Sequence, residues 1–168
     1  MCIRDRPSDA RELSGHLARI SRQATTAVAG YDLAFSPVKS VSTLWAVAPR
    51  EVAETIEQAH HGAVKDTVTW LEDNATYTRR GKNGVAQVDV HGLIAAAFTH
   101  RDSRAGDPDL HTHVAISNKV QALDGTWLAL DGRPIFKNGV AASERYNTRL
   151  EALLIERLGV EFLSLIHI

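Results

Sequence analysis

The sequence predicts an α+β fold with a largely antiparallel central sheet flanked by helices. Three observations carry that prediction. Strand-like segments crowd the middle of the chain, and helix-length periodic segments lie on either side of them. Two joins between strands are short turns, Gly81-Lys82-Asn83-Gly84 and Asp124-Gly125, which suit antiparallel neighbours. The chain has 168 residues and is 44% hydrophobic and 23% charged, enough for one domain with its own core.

Residues 8–29 hold a short helical pattern and then a polar lead-in. Tyr31–Phe35 alternates apolar and polar side chains and reads as a strand, ending in a loop at Pro37 that contains Lys39 and Ser40. Residues 48–75 form a long helix. Pro49 suits its first turn, and Glu51 and Glu54 lie near the positive end of its dipole. Val52, Ile56, Ala59, Ala63, Val64 and Val68 give it one apolar face. Residues 75–90 read as strand, turn, strand. Leu93–His100 reads as a buried strand, residues 101–109 as a loop and Leu110–Val120 as the next strand. Residues 123–130 give a short strand after the Asp124-Gly125 turn. Residues 139–162 give an amphipathic helix capped near Gly159. No repeat, low-complexity tract or internal linker interrupts this order.

Composition narrows the function classes. The formal net charge of -1 gives no whole-chain basic signature, so a nucleic-acid partner would be held by local clusters. Cys2 is the sole cysteine, which excludes a disulfide framework and a cysteine-based zinc site. The apolar runs fall far short of a membrane span, and the charged N-terminus is not a signal peptide, so the expected location is cytoplasmic. Eight histidines are a mild excess.

Both ends look foreign. The chain begins Met-Cys-Ile-Arg-Asp-Arg and ends Leu-Ser-Leu-Ile-His-Ile. The bases ATGTGTATAAGAGACAG encode the first, and their reverse complement encodes the second. That is the mark of a transposon-end adapter translated by mistake. Residues 1–6 and 163–168 are therefore expected to be artefact, with Cys2 and His167 carrying no meaning, and residues 7–162 to be an internal fragment of a longer protein.

His111 and His113 are two residues apart on a predicted strand, so they project from one face, about 6–7 Å apart along the chain, with Thr112 on the other. His100 closes the preceding strand. An antiparallel return through the loop brings it beside Leu110 or His111. Three imidazoles could then meet at the mouth of two strands, leaving coordination positions open as a catalytic metal requires. A His-x-His pair alone is usually incidental. His60 and His61 are adjacent on a helix and are expected to be solvated or partly packed. His16 and His91 have no evident partner. Trp45, Trp70 and Trp127 are expected in the core rather than as base-stacking platforms.

The stretch FTHRDSRAGDPDLHTHVAISN resembles the histidine motif of the MobF-type conjugative relaxases of the HUH endonuclease superfamily. His100 ends one strand, Asp107-Pro108 lies in the loop, and His111-Thr112-His113 opens the next strand. GYDLAFSPVKSVSTLWAV resembles a second motif of that family, and the resemblance runs from about Gly30 to Phe162. It implies an HUH-type palm, incomplete at its N-terminus, so that residues 7–162 are a partial relaxase domain. It also implies nicking of one plasmid strand at an origin of transfer. A tyrosine hydroxyl attacks the scissile phosphodiester and stays joined to the 5′ phosphate.

By the same resemblance, His100, His111 and His113 hold a divalent cation. Affinity alone favours zinc or nickel, and cellular supply favours magnesium or manganese. Asp32 matches the acidic residue near the nucleophile, where it accepts a proton or orients a ligand histidine. Lys39, Arg101 and Arg104 are candidate contacts to phosphates of single-stranded DNA. A helicase region is expected downstream in the full protein. One feature departs from the family. Its nucleophilic tyrosines precede the Asp32 strand, whereas no tyrosine occurs here before Tyr31. Tyr31 should face away from Asp32, and the motif assigns no catalysis to Tyr77 or Tyr146, so this chain is expected to be inactive alone. Two alternatives remain: a rolling-circle replication initiator of the same superfamily, and a non-catalytic module that binds single-stranded DNA.

Overall fold

In the computed structural model, Ser14 and residues 28–160 are described. The chain termini, His16 and nearly all of the helical pattern of residues 8–29 lie outside them. The elements, in order, are β1 (Gly30–Phe35), α1 (Lys39–Val47), α2 (Arg50–Ala75), β2 (Tyr77–Arg80), β3 (Ala86–Asp89), β4 (Ala95–Asp102), β5 (Pro108–Ser117), β6 (Lys119–Gln121), β7 (Trp127–Ala129), α3 (Gly132–Lys137) and α4 (Gly139–Leu158). The fold is α+β and, among the described residues, every strand pairing is antiparallel. The strands form a three-stranded sheet ordered β1-β5-β4 and two separate hairpins, β2-β3 and β6-β7, rather than one sheet. Single bridges, Thr78 to Leu130 and Val90 to Ala122, tie the hairpins together.

The core lies between one face of the three-stranded sheet and the helix pair α2 and α4. Ile56, Ala59, Ala63, Val64 and Leu71 of α2 are buried, as the periodicity predicted. Ala142, Tyr146, Leu150, Leu153 and Leu154 face them from α4. Small residues on α2 let the helices approach closely: a Cβ on Gly62 would lie 3.2 Å from the Leu153 side chain. The sheet contributes Leu110, Val114 and Ile116 to the same core, alternate residues of β5, as a strand with one covered face must. Gly159 ends α4 in the left-handed conformation, φ 63°, with its N–H on the Ile155 carbonyl. No helix among the described residues is long and apolar enough to cross a membrane.

Four expectations need correction. Lys39 and Ser40 begin helix α1 rather than sit in a loop. Its Val, Ser and Thr residues are weak helix formers. It is held instead by packing, with Val41 buried and Trp45 against the core. The segment read as one strand to Val120 breaks at Asn118, whose N–H bonds Ala29 and whose C=O accepts from Leu130. The chain thereby leaves the main sheet and enters the β6-β7 hairpin. The segment read as buried, Leu93–His100, is largely exposed. β4 is an edge strand with a single described neighbour, and Phe98 on it is 55% exposed. Trp127, expected in the core, is 53% exposed on the outer hairpin. Helix α3 was not foreseen. Asp131 caps it by accepting from the Arg133 N–H, and Gly132 is required there because the Tyr31 ring fills the space a Cβ would need.

Candidate metal centre

Strand register brings the three histidines together. His100 of β4 stands directly opposite His111 of β5, and His113 follows two residues along on the same face. The ladder shifts just beyond, between His100 and Asp102, so the pair sits at the last regular step before the loop. Ring centroids lie 5.2 Å apart for His100 and His111, 5.6 Å for His100 and His113, and 5.4 Å for His111 and His113. Rings bound through one nitrogen to a common tetrahedral ion have centroids about 5 Å apart, given metal–nitrogen bonds of about 2 Å. The spacing therefore suits one ion. The nitrogen atoms are not converged, however. Among the described residues, no group of three or more His, Cys, Asp or Glu side chains is arranged to hold an ion as it stands. His100 stacks on His111 with an interplanar angle of 20°.

The second ring nitrogens define which atoms remain for a ligand. His113 Nδ1 is 2.7 Å from the Asp32 carboxylate, and His111 Nδ1 is 2.8 Å from the backbone oxygen of Asp109. Both acceptors take a hydrogen bond from Nδ1, which leaves Nε2 of each ring as the nitrogen available to a ligand. Asp32 reaches His113 because it shares the open face of β1, two residues from Ala34, which pairs with His113. This donor set, imidazoles backed by a carboxylate and a carbonyl, fits a divalent cation.

The opposite face of the same strands is closed. Thr112 lies between the two β5 histidines but points into the core, 1% exposed. His60 of α2 is completely buried there, which corrects the expectation that it is solvated or partly packed. Its Nε2 is 2.7 Å from Thr112 Oγ1 and its Nδ1 is 2.8 Å from Tyr146 Oη. Burial pushes His60 down to about 4, with the nearby charge of His61 adding to the effect, so the ring is neutral near pH 7. Burial likewise raises the Tyr146 hydroxyl. The signal for His60 was in the sequence: with Ile56, Ala63 and Val64 it falls on the apolar face of α2.

The predicted cations lie at different places. Lys39 Nζ donates to the Pro108 carbonyl at 2.9 Å and lies 3.9 Å from Asp109, tying α1 to the start of β5. Arg101 is in strand β4, not in the loop, and its side chain leaves by the helix face. There it makes two bonds to Glu57, at 3.0 and 2.9 Å, and lowers that carboxyl. Strand alternation explains the error, since the residue after His100 must point the other way. Arg104 is exposed in the loop between β4 and β5. None of the three tyrosines faces the histidines. Tyr31 packs on Gly132 and Phe136, Tyr77 Oη lies 3.5 Å from the Asn74 oxygen, and Tyr146 is held by His60.

An antiparallel sheet flanked by helices, the fold of a MobF-type relaxase domain, carries this histidine cluster on its open face. The chain belongs to the TrwC relaxase family, whose model matches residues 4–165. It is similar to the Multifunctional conjugation protein TraI of Escherichia coli, 34% identical over 142 residues that cover 79% of this chain and 8% of TraI. It is also similar to the metal-bound structure of conjugative relaxase TrwC in complex with OriT DNA. The TM-score is 0.73 at 35% identity, over 84% of this chain and 48% of that one. The metal-free TrwC complex with OriT DNA gives 0.65 at 34% identity, over 79% of this chain and 45% of that one. The chain thus spans under a tenth of TraI and about half of the TrwC chains.

Proposed function

We propose that this chain supplies the cation-binding part of a conjugative relaxase, which nicks one strand of origin-of-transfer DNA through a tyrosine–DNA adduct. One observation supports it most. His100, His111 and His113 gather on one sheet face, and the Asp32 carboxylate accepts from His113 Nδ1, which leaves Nε2 for a ligand. That TrwC has been solved with OriT DNA, with and without metal, agrees with this reading.

In this proposal the Nε2 atoms of His100, His111 and His113 hold a divalent cation. Magnesium or manganese is favoured by supply, and zinc or nickel by affinity. The bound cation would stabilise charge building on the non-bridging phosphate oxygens. Neutral imidazoles leave that cation its full charge. Asp32 fixes the tautomer of His113, and the Asp109 carbonyl does the same for His111. Arg104, exposed in the loop beside the cluster, is the readiest contact for a DNA phosphate, whereas Lys39 lies at the start of β5 and Arg101 on the helix face. Both are engaged in ion pairs, which phosphate would have to displace. The nucleophile belongs to a segment other than Tyr31, Tyr77 or Tyr146, and a helicase region in the whole protein is part of the same proposal.

A denaturing gel tests it. The chain is incubated with manganese and a single-stranded origin oligonucleotide, alone and with a tyrosine-bearing N-terminal segment from a close relative fused upstream. An adduct is expected only with the fusion. An adduct formed by the chain alone would make one of its own tyrosines the nucleophile. Absence of any adduct in the fusion, with the fold intact, would contradict the relaxase reading.

A further inference from the structure

Five side chains form one continuous hydrogen-bonded run behind the histidines. It passes from Tyr146 Oη to His60 Nδ1 (2.8 Å), from His60 Nε2 to Thr112 Oγ1 (2.7 Å), from Thr112 to Thr99 Oγ1 (3.0 Å) and from Thr99 to His61 Nε2 (3.0 Å). It links α4, α2, β5 and β4 in that order. We propose that Thr112 and Thr99, pinned by His60 and Tyr146, are positioning residues that set the three imidazoles of the candidate metal centre. The proposal rests on reading those imidazoles as cation ligands.

Placement is the first reason. Thr112 is the residue between His111 and His113, and Thr99 immediately precedes His100. Thr99 and Thr112 are directly paired across the strands, one step from the His100–His111 pair. A hydroxyl fixed on the closed face fixes the backbone whose neighbouring side chains emerge on the open face. Every histidine of the cluster therefore has a chain neighbour held from behind.

Need is the second. Among the described residues β4 is an exposed edge strand paired with β5 alone, and its ladder slips just after His100. Backbone bonds to one neighbour do not lock such a strand against register error. The Thr99–Thr112 contact adds a cross-strand lock at the level of the histidines.

Polarity is the third. Tyr146 is buried and its proton requires an acceptor, which His60 Nδ1 provides. Neutral His60 then donates from Nε2 to Thr112, Thr112 donates to Thr99, and Thr99 donates to His61. The run has one internally consistent direction, and each hydroxyl in it is oriented. Reversing it would leave the buried Tyr146 proton without an acceptor in the run. Valine and phenylalanine would fill the same space without the desolvation cost of these polar groups. Polar residues here serve orientation rather than packing.

The test uses the 168-residue chain with 15N-labelled histidine and no added metal, comparing wild type, Thr112→Val and Thr112→Ser. Valine keeps the shape and removes the hydroxyl, whereas serine keeps the hydroxyl. In Thr112→Val, the His111 and His113 ring signals should lose their single-tautomer pattern and broaden. Manganese affinity by calorimetry should fall about tenfold, the low end for a group that orients a ligand. Thr112→Ser should restore both. Should Thr112→Val unfold the chain, Thr99→Val at the half-buried edge is read at His100 instead. A valine variant whose ring signals and manganese affinity match wild type overturns the proposal. A wild-type chain that takes up no manganese removes the cation reading, while the ring signals still decide whether Thr112 sets the imidazoles.

Discussion

The two faces of the β4–β5 pair carry histidines under opposite conditions. On the open face, His113 is partly exposed and its Nδ1 lies on a carboxylate, leaving one nitrogen available. On the closed face, His60 is fully buried and both nitrogens are spent on hydroxyls, leaving nothing for a ligand. The same side chain is thus a candidate cation ligand in one place and a structural connector in the other. Partner and exposure, not residue type, set the role.

Breaking the closed face should have the largest effect. His60→Ala removes a buried ring, strands the Tyr146 hydroxyl and takes one of two partners from Thr112, so urea unfolding should show a loss of about 3 kcal/mol. His91→Ala, at an exposed position, should change stability little. On the open face, His111→Ala should leave stability nearly unchanged and weaken manganese binding about 100-fold, as judged by calorimetry. That is the upper end of what loss of a merely orienting group costs, and about ten times the loss expected at Asp32.

The contrast between the faces was only partly legible in the sequence. Strand alternation placed His111 and His113 together, and the short loop brought His100 back to them. Those are local rules of period and turn length. Asp32 was reached only through resemblance to a family, because its contact with His113 joins residues far apart in the chain. His60 looked solvent-facing because it stands next to His61, although its spacing from Ile56 and Ala63 placed it on the apolar face. Arg101 was misplaced because strand β4 continues two residues past His100 and so turns that side chain toward Glu57. Helices α1 and α3 escaped notice because packing and a cap, not helix-forming residues, stabilise them.

Acid should separate the faces next. His60 is pushed down to about 4 from an ordinary value of 6.5, so the unfolded chain binds a proton more readily than the folded one. Its contribution to stability is complete above about pH 6.5 and is lost as pH falls toward 4. Between pH 7 and pH 5 that loss should be about 2 kcal/mol, given about 1.4 kcal/mol per pKa unit. Urea midpoints measured across this range should fall more steeply for wild type than for His60→Gln. An equal fall in both would remove His60 as the cause.

The smallest of these effects belongs to the carboxylate. Asp32→Asn keeps the shape and a hydrogen-bonding oxygen at His113 but removes the charge that holds the ring. Manganese affinity should drop about tenfold with little change in stability. An unchanged affinity would mean that Asp32 does not act through His113.

The central claim is that the open face holds one divalent cation between His100, His111 and His113. Crystals of the chain soaked in manganese, with data collected to give an anomalous difference map, test it most directly. The account predicts one peak within bonding distance, about 2 Å, of a nitrogen from each of the three rings. A strongest peak elsewhere, or none at this face when the soak has loaded other sites, would contradict it.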